Sequence, residues 1–292
     1  MIHLNKRIVS TLSIITACFL FFGCHKNNET RYATVNVHVD DFTITQDEFP
    51  DSKSDITDYE TVKAITLAFY DENDSEVYMN TQMRSDESTY TTFGDFSVSL
   101  PMGSYTMVVI GRDYFSDDVL ELTSPTSAVY SPKVRETFIA TQAVDIENTE
   151  NVTLSATLNR VVAKVKVVST DGRTANASNV SVTFSAGGKG VNPTTGLALT
   201  NTGFVNTINI GAAVGTPTTS SSFLFLASDE QTLTVTLDVL DAEGNSISHK
   251  VVENVPLRRN RVTTLTGSLY SAGSTSDFQV ETEWLEGNTI GF

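Results

Sequence analysis

Cysteine is nearly missing from this chain. Two occur in 292 residues, Cys18 and Cys24, and both lie at the edge of an N-terminal apolar segment. A body with no further thiol has no disulfide framework, catalytic thiol or thiolate metal site. Its stability must then come from its core, for which the length suffices as one large or two ordinary domains. Histidine is scarce and scattered: His3, His25, His38 and His249 form no ligand spacing, and a single tryptophan, Trp284, is present. No serine sits in a Gly-x-Ser-x-Gly turn, and no glycine-rich phosphate loop precedes a helix. No segment of helical period reaches ten residues with caps. Basic residues are outnumbered, 19 Lys and Arg against 35 Asp and Glu, for a net charge of −16. Such a surface repels nucleic acid and favours solubility outside a cell. Carboxylates this common single out no acid/base couple. The absences together point away from an enzyme, and no cofactor or metal is expected.

What is there begins with the N-terminus. Lys6 and Arg7 precede an apolar run from Ile8 to Gly23, and the chain turns polar from His25. That order is a secretory signal, with a run shorter than the roughly 20 apolar residues of a comfortable membrane span. Gly23 directly before Cys24 fits a bacterial lipoprotein processing site, where a small residue enters the peptidase and the thiol takes the lipid. Ile15-Thr16-Ala17 before Cys18 offers a second site, but one that leaves Phe19 to Phe22 on the mature protein. A plain secretory signal with an incidental cysteine is the third option. The reading adopted is a signal over 1–23, lipid on Cys24, and a solvated tether over 24–32.

The acidic surplus is uneven. Between His25 and Thr157 lie 24 acidic residues against 8 Lys and Arg, whereas from Leu158 onward there are 11 against 9. The shift places a boundary near Leu158, separating 33–157 from 158–292. Period-two alternation fills both parts: Val35, Val37, Val39; Phe96, Val98, Leu100; Ala163, Val165, Val167; Val180, Val182, Phe184; and Leu233, Val235, Leu237, Val239. Each run turns one apolar face inward, as antiparallel sheets require. The stretches "VKAITLAFY" and "SYTMVVIG" are apolar on both faces and are placed centrally. Turn chemistry separates the runs, at Asp71 to Asp74, Pro101 to Gly103 and Asp241 to Gly244 among others. The expectation is an all-β protein of antiparallel sandwiches, two by length, without an exact internal repeat.

Three clusters have a bland and a functional reading. "DENDSE", Asp71 to Glu76, begins like a calcium loop but lacks Gly at its sixth position and has Gln82 at the twelfth; a hairpin turn is expected. Arg160 either pairs across the junction of the two halves or is exposed. Arg258, Arg259 and Arg261 are either a solvated strand edge, where charge discourages wrong pairing, or a docking patch for an acidic neighbour.

"LAFYDENDSEVY", "FSVSLPMGSYTMVVIG", "LNRVVAKVKV" and "VPLRRNRVTTLTGSLY" follow one another here in the order seen in fimbrillin-type pilus subunits of Bacteroidetes. The chain resembles that superfamily over nearly all of its mature length, about Ala33 to Phe292. The resemblance implies two transthyretin-like β-sandwich domains in tandem, export as a lipoprotein to the outer membrane surface, and assembly with other fimbrial subunits into a fimbrium. It also implies strand exchange: a trypsin-like protease cuts after the first strand, which leaves, and a neighbour's strand replaces it. Here the first strand carries Val35, Val37, Val39, Phe42 and Ile44. Its inward set changes from odd to even positions, so a bulge is expected near Asp40-Asp41. Lys53 is the candidate cleavage position, where the family usually has arginine. Arg31 is a second position, from which a cut frees the lipid but keeps the first strand.

The candidate donor is the C-terminal "FQVETEW", with Phe278, Val280 and Trp284 on one face; read without the family, it is an ordinary closing strand. Burying those three side chains contributes roughly 5–9 kcal/mol. Ordering seven residues costs about 7–14 kcal/mol in backbone entropy, so insertion also needs the hydrogen bonds of an open sheet edge. Two other readings stand beside the polymerising subunit: an uncut anchor or accessory subunit, and a surface lipoprotein whose sandwich binds glycan.

Overall fold

A computed structural model describes residues 30–43, 54–55, 61–271 and 277–282. Period-two alternation becomes strands throughout: β1 (Tyr32–Thr43), β2 (Ser54–Asp55), β3 (Ala64–Tyr70), β4 (Glu76–Met83), β5 (Asp95–Pro101), β6 (Gly103–Arg112), β7 (Val119–Ser124), β8 (Ser127–Ser131), β9 (Thr137–Ile146) and β10 (Val152–Arg160) in the first part. The second part has β11 (Ala163–Ser169), β12 (Asn179–Phe184), β13 (Gly190–Asn192), β14 (Leu197–Ala198), β15 (Phe204–Asn209), β16 (Thr219–Leu224), β17 (Glu230–Leu240), β18 (Ser246–Arg258), β19 (Val262–Gly267) and β20 (Gln279–Glu281). Helix among the described residues amounts to one 3₁₀ turn at Glu87–Thr89. The fold is all-β, as the alternation predicts.

A seven-strand pairing network occurs twice. In the first, β1 lies parallel to β10 and antiparallel to β5. There β3 pairs with β4 and β6, and β6 pairs with β9, all antiparallel. In the second, β11 lies parallel to β19 and antiparallel to β16. There β12 pairs with β15 and β17, and β17 pairs with β18. Taken in chain order, β1, β3, β4, β5, β6, β9 and β10 map onto β11, β12, β15, β16, β17, β18 and β19. The sequence carries no exact repeat because such a network asks for alternation and turns, not for particular side chains.

Each network closes around its own core. In the first, Val35, Val37 and Val39 of β1 pack with Phe96, Val98 and Leu100 of β5 and with Leu67, Phe69, Met107 and Val109 of β3 and β6. In the second, Val165 and Val167 of β11 pack with Val182, Phe184, Val235, Leu237 and Leu265.

The central strands are buried on both faces, and their second face builds a third core. Ala68, Tyr70, Val108 and Ile110 of β3 and β6 pack there with Tyr130, Val161, Val191 and Phe225. Two inserted hairpins cover it. The β7-β8 hairpin departs from the first network between β6 and β9, and β13-β14 departs from the second between β12 and β15. The two hairpins pair through Val129↔Gly190 and Ala128↔Val191, giving one four-stranded sheet, β14-β13-β8-β7, drawn from both halves. Tyr130 lies wholly inside this core, its hydroxyl 2.7 Å from Thr137 Oγ1, and burial pushes the phenol up to about 12.

Candidate functional site

Sequence reasoning places function on the first strand. Across Val35 to His38, β1 is bonded on both edges, to β5 on one side and to β10 on the other. Val35, Val37 and Val39 are fully buried. The pairing with β10 shifts register between Val39 and Asp41, which is the bulge expected from the change of inward positions. Phe42 continues the ladder opposite Leu158. Ile44 lies outside the described residues.

Both ends of the doubly bonded stretch are tied down by polar contacts. The amide of Met102 donates to the Arg31 carbonyl at 2.9 Å, and Arg31 itself is exposed. At the other end His38 Nδ1 meets Asp95 of β5, while His38 Nε2 lies 3.3 Å from Asp40. The side chain points outward, as alternation predicts, yet sits between two carboxylates on neighbouring backbone.

Gln82 is a residue that the sequence did not single out for this role. It is 4% exposed; its Nε2 donates to the Asp95 carbonyl at 2.6 Å and its Oε1 accepts from the Gly94 amide at 2.8 Å. It thereby clamps the turn that leads into β5, the strand that flanks β1. No signal in the sequence pointed to it, because both partners of its side chain are backbone atoms.

The region after the first strand is only partly described. Lys53 lies outside the described residues, but Ser54 and Asp55 immediately after it form β2, which pairs with Phe42 and Asp41 at the end of β1. Cys18, Cys24 and Trp284 also lie outside the described residues. Phe278 and Val280 do not: β20 runs antiparallel on β19, with Leu265↔Val280 and Thr264↔Glu281. Both side chains pack against the second core. A methyl group on Gly267 would stand 2.7 Å from Phe278 Cγ, so a side chain is excluded where Phe278 crosses β19. In this state the candidate donor is a closing strand of its own chain.

The remaining clusters resolve into structural contacts. Asp71 Oδ1 accepts from the amides of Ser75 and Asn73, and those bonds hold its carboxyl below the usual range. "DENDSE" is thus a hairpin turn, repeated in kind by Asp241 with Asn245 and Glu243. Among the described residues no group of three or more His, Cys, Asp or Glu is placed to hold a metal. No helix among them is long and apolar enough to cross a membrane. Arg258 and Arg259 meet Glu230 and Asp229, which fits the reading of a charged strand edge. Arg160 pairs with Glu136 at 2.8 Å and donates to Asn260 Oδ1 at 3.2 Å, so it bridges the two halves.

One cleft adjoins this region. The strands β9 and β10 pair only at Ile139↔Asn159 and Phe138↔Arg160. Beyond that corner a cleft of about 530 Å3 opens between them. The 193–196 turn overhangs it, held by Thr141 Oγ1 on the Pro193 carbonyl and by Arg259 Nη1 on the Thr195 carbonyl.

A family model described as a family of unknown function (DUF6562) matches residues 26–289. No curated protein matches the chain. Solved structures similar to it include a candidate adhesin from Bacteroides ovatus, at 11% identity and a TM-score of 0.49, covering 75% of each chain. Another is the fimbrial anchor protein Mfa2 from Porphyromonas gingivalis, at 12% identity and 0.46, covering 80% of this chain and 90% of that one. A third is a fimbrial assembly protein from Parabacteroides distasonis, at 13% identity and 0.41, covering 87% and 96%.

Proposed function

The chain belongs to the family of unknown function DUF6562, and we propose that it is a structural subunit of a surface fimbria, exported as a lipoprotein anchored through Cys24 and assembled by strand exchange. The observation that carries this reading is the position of β1. An N-terminal strand bonded on both edges, with its inward valines completing the first core, is a plug whose removal leaves two open sheet edges and an apolar groove. Three buried valines contribute roughly 5–9 kcal/mol, so the strand does not leave by itself. A cut after Lys53 disconnects it from the rest of the chain and makes its departure effectively irreversible. The groove then offers a neighbour's Phe278, Val280 and Trp284 both the apolar contacts and the ladder bonds that insertion needs.

The partners are therefore other fimbrial subunits, a trypsin-like protease and the outer membrane through the lipid. The two networks are read as transthyretin-like domains that meet between β10 (Val152–Arg160) and β11 (Ala163–Ser169), a few residues beyond the boundary near Leu158 that the charge shift places between 33–157 and 158–292. Limited trypsin treatment followed by intact-mass analysis and a non-denaturing ladder assay tests the mechanism. Loss of the residues up to Lys53 with ladders appearing, and no ladders from Lys53→Ala, is the expected result; normal ladders from that variant overturn it.

A second reading, an uncut anchor or accessory subunit, is favoured by β2. Proteases bind substrate as an extended, unpaired segment, and the two residues after Lys53 are paired with the end of β1. A body that keeps its first strand under trypsin and stays monomeric is the outcome this reading requires.

A further inference from the structure

Three cations near the end of β6 each meet a carboxylate. Lys63 pairs with Asp113 at 3.0 Å, Arg135 with Asp118 at 2.5 Å and Arg160 with Glu136 at 2.8 Å. Arg112, the last residue of β6, meets none among the described residues. It is 7% exposed, and its Nε and Nη1 are closed to solvent without a hydrogen-bond partner. In the ladder it lies opposite Thr137 of β9, two residues beyond Ile110 and so on the face of β6 that builds the third core. The ring of Tyr114 lies over its guanidinium, 5.2 Å from Cζ to the ring centre.

We propose that Arg112 anchors a binding site for a small carboxylate at the rim of the third core, supplied by a short organic acid or by an acidic sugar. Burying a charge is costly unless a hydrogen-bonded counter-charge meets it. A guanidinium is a planar fork of donors that a carboxylate matches with two parallel hydrogen bonds. One positive charge is balanced by one negative charge, which selects a carboxylate over a doubly charged phosphate. A second acidic chain is disfavoured as the source, because this chain already carries a net charge of −16. Access runs past the connection between β6 and β7, where Tyr114 is only partly buried and Phe115 is exposed. Turning the Tyr114 side chain uncovers the guanidinium without opening the core. The site involves neither β1 nor its cleavage, so its failure leaves the proposed function standing.

The test titrates the full chain, solubilised in detergent, with sodium acetate and with sodium glucuronate against chloride at constant ionic strength, and follows the thermal unfolding midpoint. A ligand that binds only the folded state raises that midpoint with its concentration. The expected result is a saturating rise with a carboxylate, and a half-saturating concentration at least tenfold higher for inorganic phosphate. Arg112→Met removes the charge, which a buried site tolerates, and is expected to abolish the rise. Arg112→Lys keeps the charge but not the fork; it is expected to weaken binding at least tenfold and serves where the methionine variant fails to fold. Glucuronate binding at least tenfold tighter than acetate supports the site and assigns it to acidic sugars, whereas equal binding supports it as a site for simple organic acids. No rise with either carboxylate, an equal rise in the wild type and Arg112→Met, or phosphate binding as tightly as acetate overturns the proposal.

Discussion

Arg160 Nη2 stands 2.8 Å from Glu136 Oε1, with the arginine side chain wholly and the glutamate side chain almost wholly closed to solvent. The guanidinium also lies 4.9 Å above the centre of the Phe138 ring and reaches Asn260 of the second network. Removing one member of a buried pair leaves its partner's charge without compensation, which costs more than the pair contributes when intact. Glu136→Ala is expected to destabilise the chain by about 3–5 kcal/mol, read as a lower midpoint in urea unfolding. The double variant Arg160→Met with Glu136→Leu is expected to recover most of that loss. A double variant as unstable as the single one contradicts this account.

Gln82 is a second point of leverage, acting on the first strand at one remove. Gln82→Leu keeps the volume but leaves the Gly94 amide without the acceptor it has at 2.8 Å. An unsatisfied buried donor costs about 1–3 kcal/mol. Because that amide precedes β5, amide exchange should quicken along Asp95–Val98 and along the β1 residues opposite them. Unchanged exchange there would show that the turn holds β5 without the glutamine.

Gly267→Ala probes the C-terminal strand. The added methyl meets Phe278 at 2.7 Å at the ring and 2.9 Å at the backbone, closer than packed atoms approach. The expected outcome is undocking of β20, seen as faster proteolysis around residues 277–282, with the first network unaffected. In a strand-exchanging subunit the same variant should also form ladders faster, since the donor is already free.

Asp171 supplies the pH dependence. Burial opposes its charge, but amide donors from Leu269, Tyr270 and Ser271 and the Ser268 hydroxyl outweigh that and hold the carboxyl below its ordinary value. A carboxylate with a lowered folded value stabilises the protein fully above the unfolded value, about 4, and the contribution is lost as pH falls through the folded value. Asp171→Asn should lower stability at neutral pH by roughly 1 kcal/mol after solvent screening. It should also flatten the acid limb of the stability profile below about pH 4.

The strands themselves were legible because a sheet with one wet face imposes alternation on sequence. Val35, Val37 and Val39 announce an inward face, and the change of parity at Asp40-Asp41 announces the bulge that the register confirms. "DENDSE" was legible as a turn from its missing glycine and glutamate. Arg160 was not, because a lone arginine at a strand end reads the same whether its partner is Glu136 or water. Gln82 was opaque for the same reason: its partners are backbone atoms 12 and 13 residues away, and backbone leaves no mark on composition.

By itself, the sequence determined the class of structure, through periodicity, turn residues and the absence of thiols and helical patterns. Tertiary structure decided the topology. Alternation states which face of a strand is buried but not which strand lies beside it, so neither the parallel setting of β1 on β10 nor its recurrence as β11 on β19 was written in any local pattern. The shared sheet of β7-β8 and β13-β14 lay further out of reach. It forms because each hairpin has an apolar face that one network alone leaves uncovered, and that need is met only when residues some sixty positions apart, such as Val129 and Gly190, are brought together.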